Sequence, residues 1–172
     1  RERYLSAREL AALGDTLTEA ERTRTELPGV VAAIRLLVLT GCRLSEILTL
    51  RWEHVDFEQG CIRLADSKTG AKVVHLNAPA LSLLEGMERE EGSPWVIAGG
   101  KPGRHLVNLQ KPWRRLRVKA GVNDVRLHDL RPSFASVAVG LTLFVGLYLV
   151  FGITQKSLRL TTILAAWLIY MT

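Results

Sequence analysis

Three short stretches of the chain concentrate residue types that can act on a phosphate. In TGCRLSEIL, residues 40–48, Arg43 and Glu46 stand three apart, so a helix would place them on one face. In HDLR, residues 128–131, His128 stands three before Arg131. In SKTG, Lys68 occupies a polar turn. A phosphate oxyanion is held by cationic donors fixed around its oxygens. Planar guanidinium groups do this through paired hydrogen bonds, and Glu46 at its spacing can orient Arg43. Taken singly, each residue has an ordinary explanation. Arg43 reads as a surface arginine after a helix break, His128 as a capping or core-edge histidine, and Lys68 as a solvated turn residue. Asp129 reads as a helix cap rather than a base.

Metal chemistry has no comparable pattern. His54, His75 and His105 show no ligand spacing, and the two cysteines, Cys42 and Cys61, form neither a Cys-x-x-Cys pair nor a disulfide framework. No metal and no cofactor is expected. A reduced, cytoplasmic setting is the default for such cysteine usage. The 172 residues suit one domain, and 48% hydrophobic with 23% charged residues is a globular composition that excludes disorder and collagen-like repeats. The net charge of +6 permits a nucleic-acid or anionic-surface partner without requiring one.

The elements that must position these residues follow from periodicity and punctuation. Ser6 with Glu9 three later forms a capping box before a helix whose apolar face carries Leu10, Leu13 and Leu17. Pro28-Gly29 reads as a break. Helices are predicted over 30–42 and 43–52. Two alternating runs, 61–65 and 72–76, flank DSKTGA as a β-hairpin. Pro79 opens a helix over 79–91, loops fall at 92–94 and 99–103, and 106–120 is a basic amphipathic helix. That helix carries Lys111, Arg114, Arg115, Arg117 and Lys119, read either as a solvated face or as phosphate contacts. LHDLRPSFAS opens a further helix. Trp52, Trp95 and Trp113 read as core anchors.

In this order and on these elements, TGCRLSEIL, the hairpin lysine and HDLR resemble the catalytic domain of the tyrosine recombinases, also called phage integrases. The resemblance runs from residue 1 to about 139 and includes YLSARELAAL, LTLRWEHVDFEQGCIRL and LHDLRPSFAS. It implies a mainly α fold with a small antiparallel β-sheet. It implies site-specific recombination of duplex DNA, by cleavage and religation through a 3′-phosphotyrosine, in a homotetramer on paired sites. Arg43 and Arg131 match the two phosphate-clamping arginines, and His128 the histidine that holds or protonates the phosphate. Lys68 matches the general acid for the leaving 5′-hydroxyl. Lys111, Arg114 and Arg115 become candidate DNA contacts. Beside the family, the chain is read as a single catalytic domain, a fragment without the N-terminal core-binding domain, because it begins at Arg1 and shows no such domain.

The tail departs from that pattern. Residues 1–131 hold 21 of the 23 Lys and Arg and all 17 acids, whereas Pro132 to Gln155 carries no charge. Ile153 stands where the second histidine is expected and Ala165 where the nucleophilic tyrosine is expected. Tyr148 lies too early, and Tyr170, too late, is a weak candidate nucleophile. The expectation is a chain inactive in strand cleavage, with 132–172 a degenerate or frame-shifted tail. The alternatives are a DNA-binding remnant without catalysis, or a membrane-anchored protein spanning through residues 134–153. Packed core helices are favoured over the membrane span.

Overall fold

The computed structural model describes residues 3–67, 70–131 and 133. Helix α1, Ala7–Arg22, starts as its sequence dictates: Ser6 Oγ accepts from Glu9 N at 3.3 Å and Glu9 Oε2 accepts from Ser6 N at 2.8 Å. Leu13 and Leu17 are buried and Leu10 packs beside them. Helix α2, Pro28–Thr40, is apolar but for Arg35 and Thr40 and forms the centre, with Val31, Ala33, Ile34 and Leu36 fully enclosed. The proline does not break the chain but occupies the first helical turn, where its missing N–H costs nothing. Gly29 is required there, because a β-carbon would lie 2.4 Å from the carbonyl oxygen of Ala98.

Helix α3, Leu44–Leu48, is shorter than the expected 43–52. Its continuation is captured by another segment. Trp52 N donates to Pro94 O at 2.9 Å and Val96 N to Leu50 O at 2.9 Å, so residues 50–52 are held as a bridge beside Trp95. A 3-10 turn at Trp52–His54 then leads into β1, Val55–Asp56. Strands β2, Cys61–Ser67, and β3, Gly70–His75, form the expected hairpin. Strand β1 pairs with β2 and makes a three-stranded antiparallel sheet in the order β1-β2-β3, an added strand too short to show a period. The registers are Val55 with Ile62, Ile62 with Val74, and Leu64 with Lys72.

Helix α4, Ala78–Glu85, is capped by Asn77 and by Gly86, and its last residue, Glu85, falls six before the expected end at 91. Helix α5, Gln110–Lys119, starts later than the expected 106, because Leu106 N is taken by Ile97 O at 3.0 Å and Asn108 Oδ1 accepts from Gln110 N at 2.8 Å. Its buried face carries Trp113 and Leu116, and Trp113 Nε1 donates to Val125 O at 3.1 Å. Of the three tryptophans read as core anchors, Trp113 is fully buried, while Trp52 and Trp95 are partly exposed.

A 3-10 turn at Leu127–Asp129 opens the last described segment. Ser133, fully buried, joins the two ends of the described chain: its Oγ donates to Asp129 O at 2.8 Å and accepts from Leu5 N at 3.0 Å. Among the described residues no helix is long and apolar enough to cross a membrane. The stretch 134–153, and the whole of 134–172, lie outside the described residues.

Candidate active site

The site is built around the turn between α2 and α3. Gly41 ends α2 in the left-handed region, at φ +62°, which reverses the chain without the steric cost a side chain would meet. Thr40 pins the turn, donating its hydroxyl to Leu36 O at 2.6 Å and accepting from Cys42 N at 3.2 Å. Arg43 follows in an extended conformation as the N-cap of α3.

Glu46 then does more than share a face with Arg43. Its Oε2 accepts from Arg43 N at 2.8 Å and its Oε1 from Arg43 Nη1 at 3.0 Å. The same Oε2 accepts from Lys72 Nζ at 2.8 Å, so a residue of β3 enters the cluster. The Glu46 side chain is only 7% exposed, against 28% for Arg43 and 27% for Lys72. Burial alone would raise the Glu46 carboxyl, but the bonds from Lys72 and Arg43 outweigh it and hold the group below the ordinary carboxylate range.

Arg131 reaches the same turn from the other end of the chain. Its Nε donates to Gly41 O at 3.0 Å, and its remaining N–H groups bond to no described residue. His128 sits on the 3-10 turn three residues earlier, exposed and without a side-chain hydrogen bond to any described residue. Arg131 lies two residues beyond that turn, where the chain continues as helix. Asp129 caps that turn as expected, its Oδ2 accepting from Arg126 N at 2.7 Å.

The structure therefore brings Arg43, Glu46 and Arg131 together at one turn, with His128 on the 3-10 turn that precedes Arg131. Lys68 and Tyr170 lie outside the described residues. Lys111 and Arg114 are exposed on α5 and pair with no described residue. Arg115 is committed: its Nε and Nη2 donate to the Glu26 carboxylate at 2.8 and 2.7 Å, which raises its pKa and fastens α5 to the segment before α2. Sequence reasoning missed Lys72. The signal was present, because alternation in β3 leaves Ala71, Val73 and His75 exposed and puts Lys72 on the inner face with Val74. A lysine there needs a buried partner.

Two arginines and a guanidinium-orienting carboxylate at a tight turn have the chemistry to receive an oxyanion. Arginine supplies paired N–H donors, and the charge is fixed before the ligand arrives.

The profile of the phage integrase family matches residues 3–138. Among curated proteins, the chain is 29% identical over 116 residues to prophage integrase IntF of Escherichia coli K12, covering 64% of this chain and 25% of that protein. Among solved structures it is similar to XerA recombinase, with a TM-score of 0.62 and 19% identity over 81% of this chain and 52% of the other. It is also similar to XerH site-specific recombinase bound to difH substrate, with a TM-score of 0.59 and 24% identity over 78% of this chain and 42% of the other. At these identities the likeness to solved structures establishes the fold.

Proposed function

The chain belongs to the phage integrase family, and on that footing we propose that it is the phosphate-binding part of the catalytic domain of a site-specific DNA recombinase. It spans a quarter of the length of IntF, so the strand-exchange reaction is assigned to a larger assembly. That assembly would include a core-binding domain and, on paired sites, a homotetramer acting on duplex DNA in the cytoplasm. The observation that carries this reading is the meeting of Arg131 with the Gly41 carbonyl, beside Arg43 in the grip of Glu46.

In this mechanism Arg43 and Arg131 hold the two non-bridging oxygens of the scissile phosphate and oppose the charge that develops on them. Their N–H forks fit an equatorial oxygen pair better than ammonium groups would. His128 donates to the same phosphate from the turn that carries Arg131. Lys68 is the general acid that would protonate the leaving 5′-oxygen in a chain that also supplies the tyrosine nucleophile. Lys111 and Arg114 contact backbone phosphates and set the register of the duplex. With Ile153 and Ala165 at the places of the second histidine and the tyrosine, the chain binds duplex DNA but forms no 3′-phosphotyrosine.

The test pairs binding with covalent trapping on the full chain. Duplex affinity should fall steeply with salt, and supercoiled plasmid treated with the protein and then with detergent should carry no attached protein. A chain that fails to bind duplex DNA at low salt would overturn the reading. A detergent-stable adduct that disappears in Tyr170→Phe would overturn the inactivity and identify Tyr170 as the nucleophile.

A further inference from the structure

Glu46 is gripped from two elements that are far apart in the chain. Arg43 belongs to the turn before α3, and Lys72 to β3 of the sheet, 26 positions later. A buried carboxylate has room for several donors. Here Oε2 takes Arg43 N and Lys72 Nζ, both at 2.8 Å, and Oε1 takes only Arg43 Nη1, at 3.0 Å. Arg43 thus gives Glu46 a single side-chain N–H bond and keeps its other donors for a ligand. Lys72 is placed for this by β3, whose inner face it shares with Val74 opposite β2. A buried carboxylate stripped of one partner carries uncompensated charge and draws in whatever cation remains.

We propose that Lys72 is a positioning residue that shares the charge of Glu46, fastens β3 to the Arg43 turn, and so leaves the Arg43 guanidinium free to bind a phosphate oxyanion. The inference rests on Arg43 being a phosphate-binding arginine. Without Lys72, Glu46 would pull the guanidinium fully onto itself, and the anion site would lose one of its two arginines. The role runs through Glu46 and involves no contact between Lys72 and the ligand.

The test follows the Nε–Hε resonance of Arg43 in the isotope-labelled full chain, assigned with Arg43→Lys, during titration with inorganic phosphate. Lys72→Met should move that resonance before any phosphate is added and weaken phosphate binding at Arg43 by roughly threefold to tenfold, in the lower part of the coupling found between neighbouring groups. Lys72→Arg should restore both. In a Glu46→Gln background, Lys72→Met should have no further effect, and this neutral pair also serves if the single Lys72→Met chain does not fold. An unmoved resonance with unchanged affinity would overturn the proposal. So would a loss in folded protein that Lys72→Arg does not restore, or additional weakening by Lys72→Met when Glu46 is already Gln. If phosphate leaves the wild-type Arg43 resonance unmoved, the phosphate-binding reading fails. The positioning role is then judged on the ligand-free shift alone.

Discussion

Arg131 Nε donates to the carbonyl oxygen of Gly41 at 3.0 Å, joining positions 90 residues apart. The bond uses a backbone acceptor that exists only because α2 ends there. A helix leaves its last carbonyls without intrahelical partners. The left-handed Gly41 turns the chain away, and the guanidinium of Arg131 enters. The same turn delivers Arg43 as the next N-cap, so one bend positions both arginines.

Gly41→Ala should therefore damage stability and site together. At φ +62° a β-carbon meets the following carbonyl, at a cost of about 1–2 kcal/mol. Urea unfolding should show that loss, and duplex affinity of the folded fraction should fall with it. A fully stable Gly41→Ala chain would contradict the account of the turn.

Arg43→Ala and Arg131→Ala should each weaken duplex binding and flatten its dependence on salt, lowering the slope by about one phosphate contact. Arg131→Lys should not rescue, because one ammonium group cannot keep the bond to Gly41 and also present a fork to phosphate. Arg115→Ala should behave differently. With its fork occupied by Glu26, its removal should cost thermal stability more than it changes the salt slope. Filter binding over a salt series separates the two patterns.

Glu46→Gln leaves Arg43 and Lys72 side by side without their counter-charge. Since both cations are about a quarter exposed, water shares the load, and the loss should be about 1–3 kcal/mol rather than the larger penalty of a fully buried pair. The Glu46 carboxyl lies below its ordinary value in the folded state. Its contribution is complete above the unfolded pKa and is lost as pH falls through the folded one. The wild-type acid-unfolding profile should thus be steeper than that of Glu46→Gln.

Glu9 gives a second acid-sensitive contact, away from the site. Its bond from Arg3 lowers the carboxyl to about 2 from an ordinary 4.5, against the opposing effect of partial burial and with help from Ser6. Its stabilisation should be whole above pH 4.5 and fade as pH falls toward 2. Melting temperature measured across that window should drop less in Arg3→Ala than in wild type.

Ser133→Ala removes the one side chain that bonds both Leu5 N and Asp129 O. A buried N–H left without a partner costs about 1–3 kcal/mol. Amide exchange at Leu5 should speed up, and the turn bearing His128 and Arg131 should lose protection with it. Unchanged exchange at both places would show that the link carries no load.

Much of the fold was legible in residues taken in order. The capping box of Ser6 and Glu9, the strongly apolar α2, and the alternation of β2 and β3 are local patterns whose physics acts within a few residues. Two of the misplaced helix ends share one cause. Helix α3 stops early because Pro94 and Val96 take the backbone of 50–52, and α5 starts late because Ile97 takes Leu106. In each case residues of the 94–97 segment, over forty positions from α3 and nine from Leu106, won the hydrogen bonds, and no helix propensity records that competition.

The site divides along the same line. Residue order was enough to tell which groups carry charge and which share a face: Arg43 with Glu46, His128 with Arg131, and the family resemblance those pairs carry. Only the tertiary structure decided that Arg131 meets the Gly41 carbonyl, that Glu26 holds Arg115, and that Lys72 joins Glu46. Spacing along a helix or strand is fixed by backbone geometry, so it can be read from order alone. The meeting of two distant side chains depends on how whole elements pack, which core burial settles and no single stretch of sequence contains.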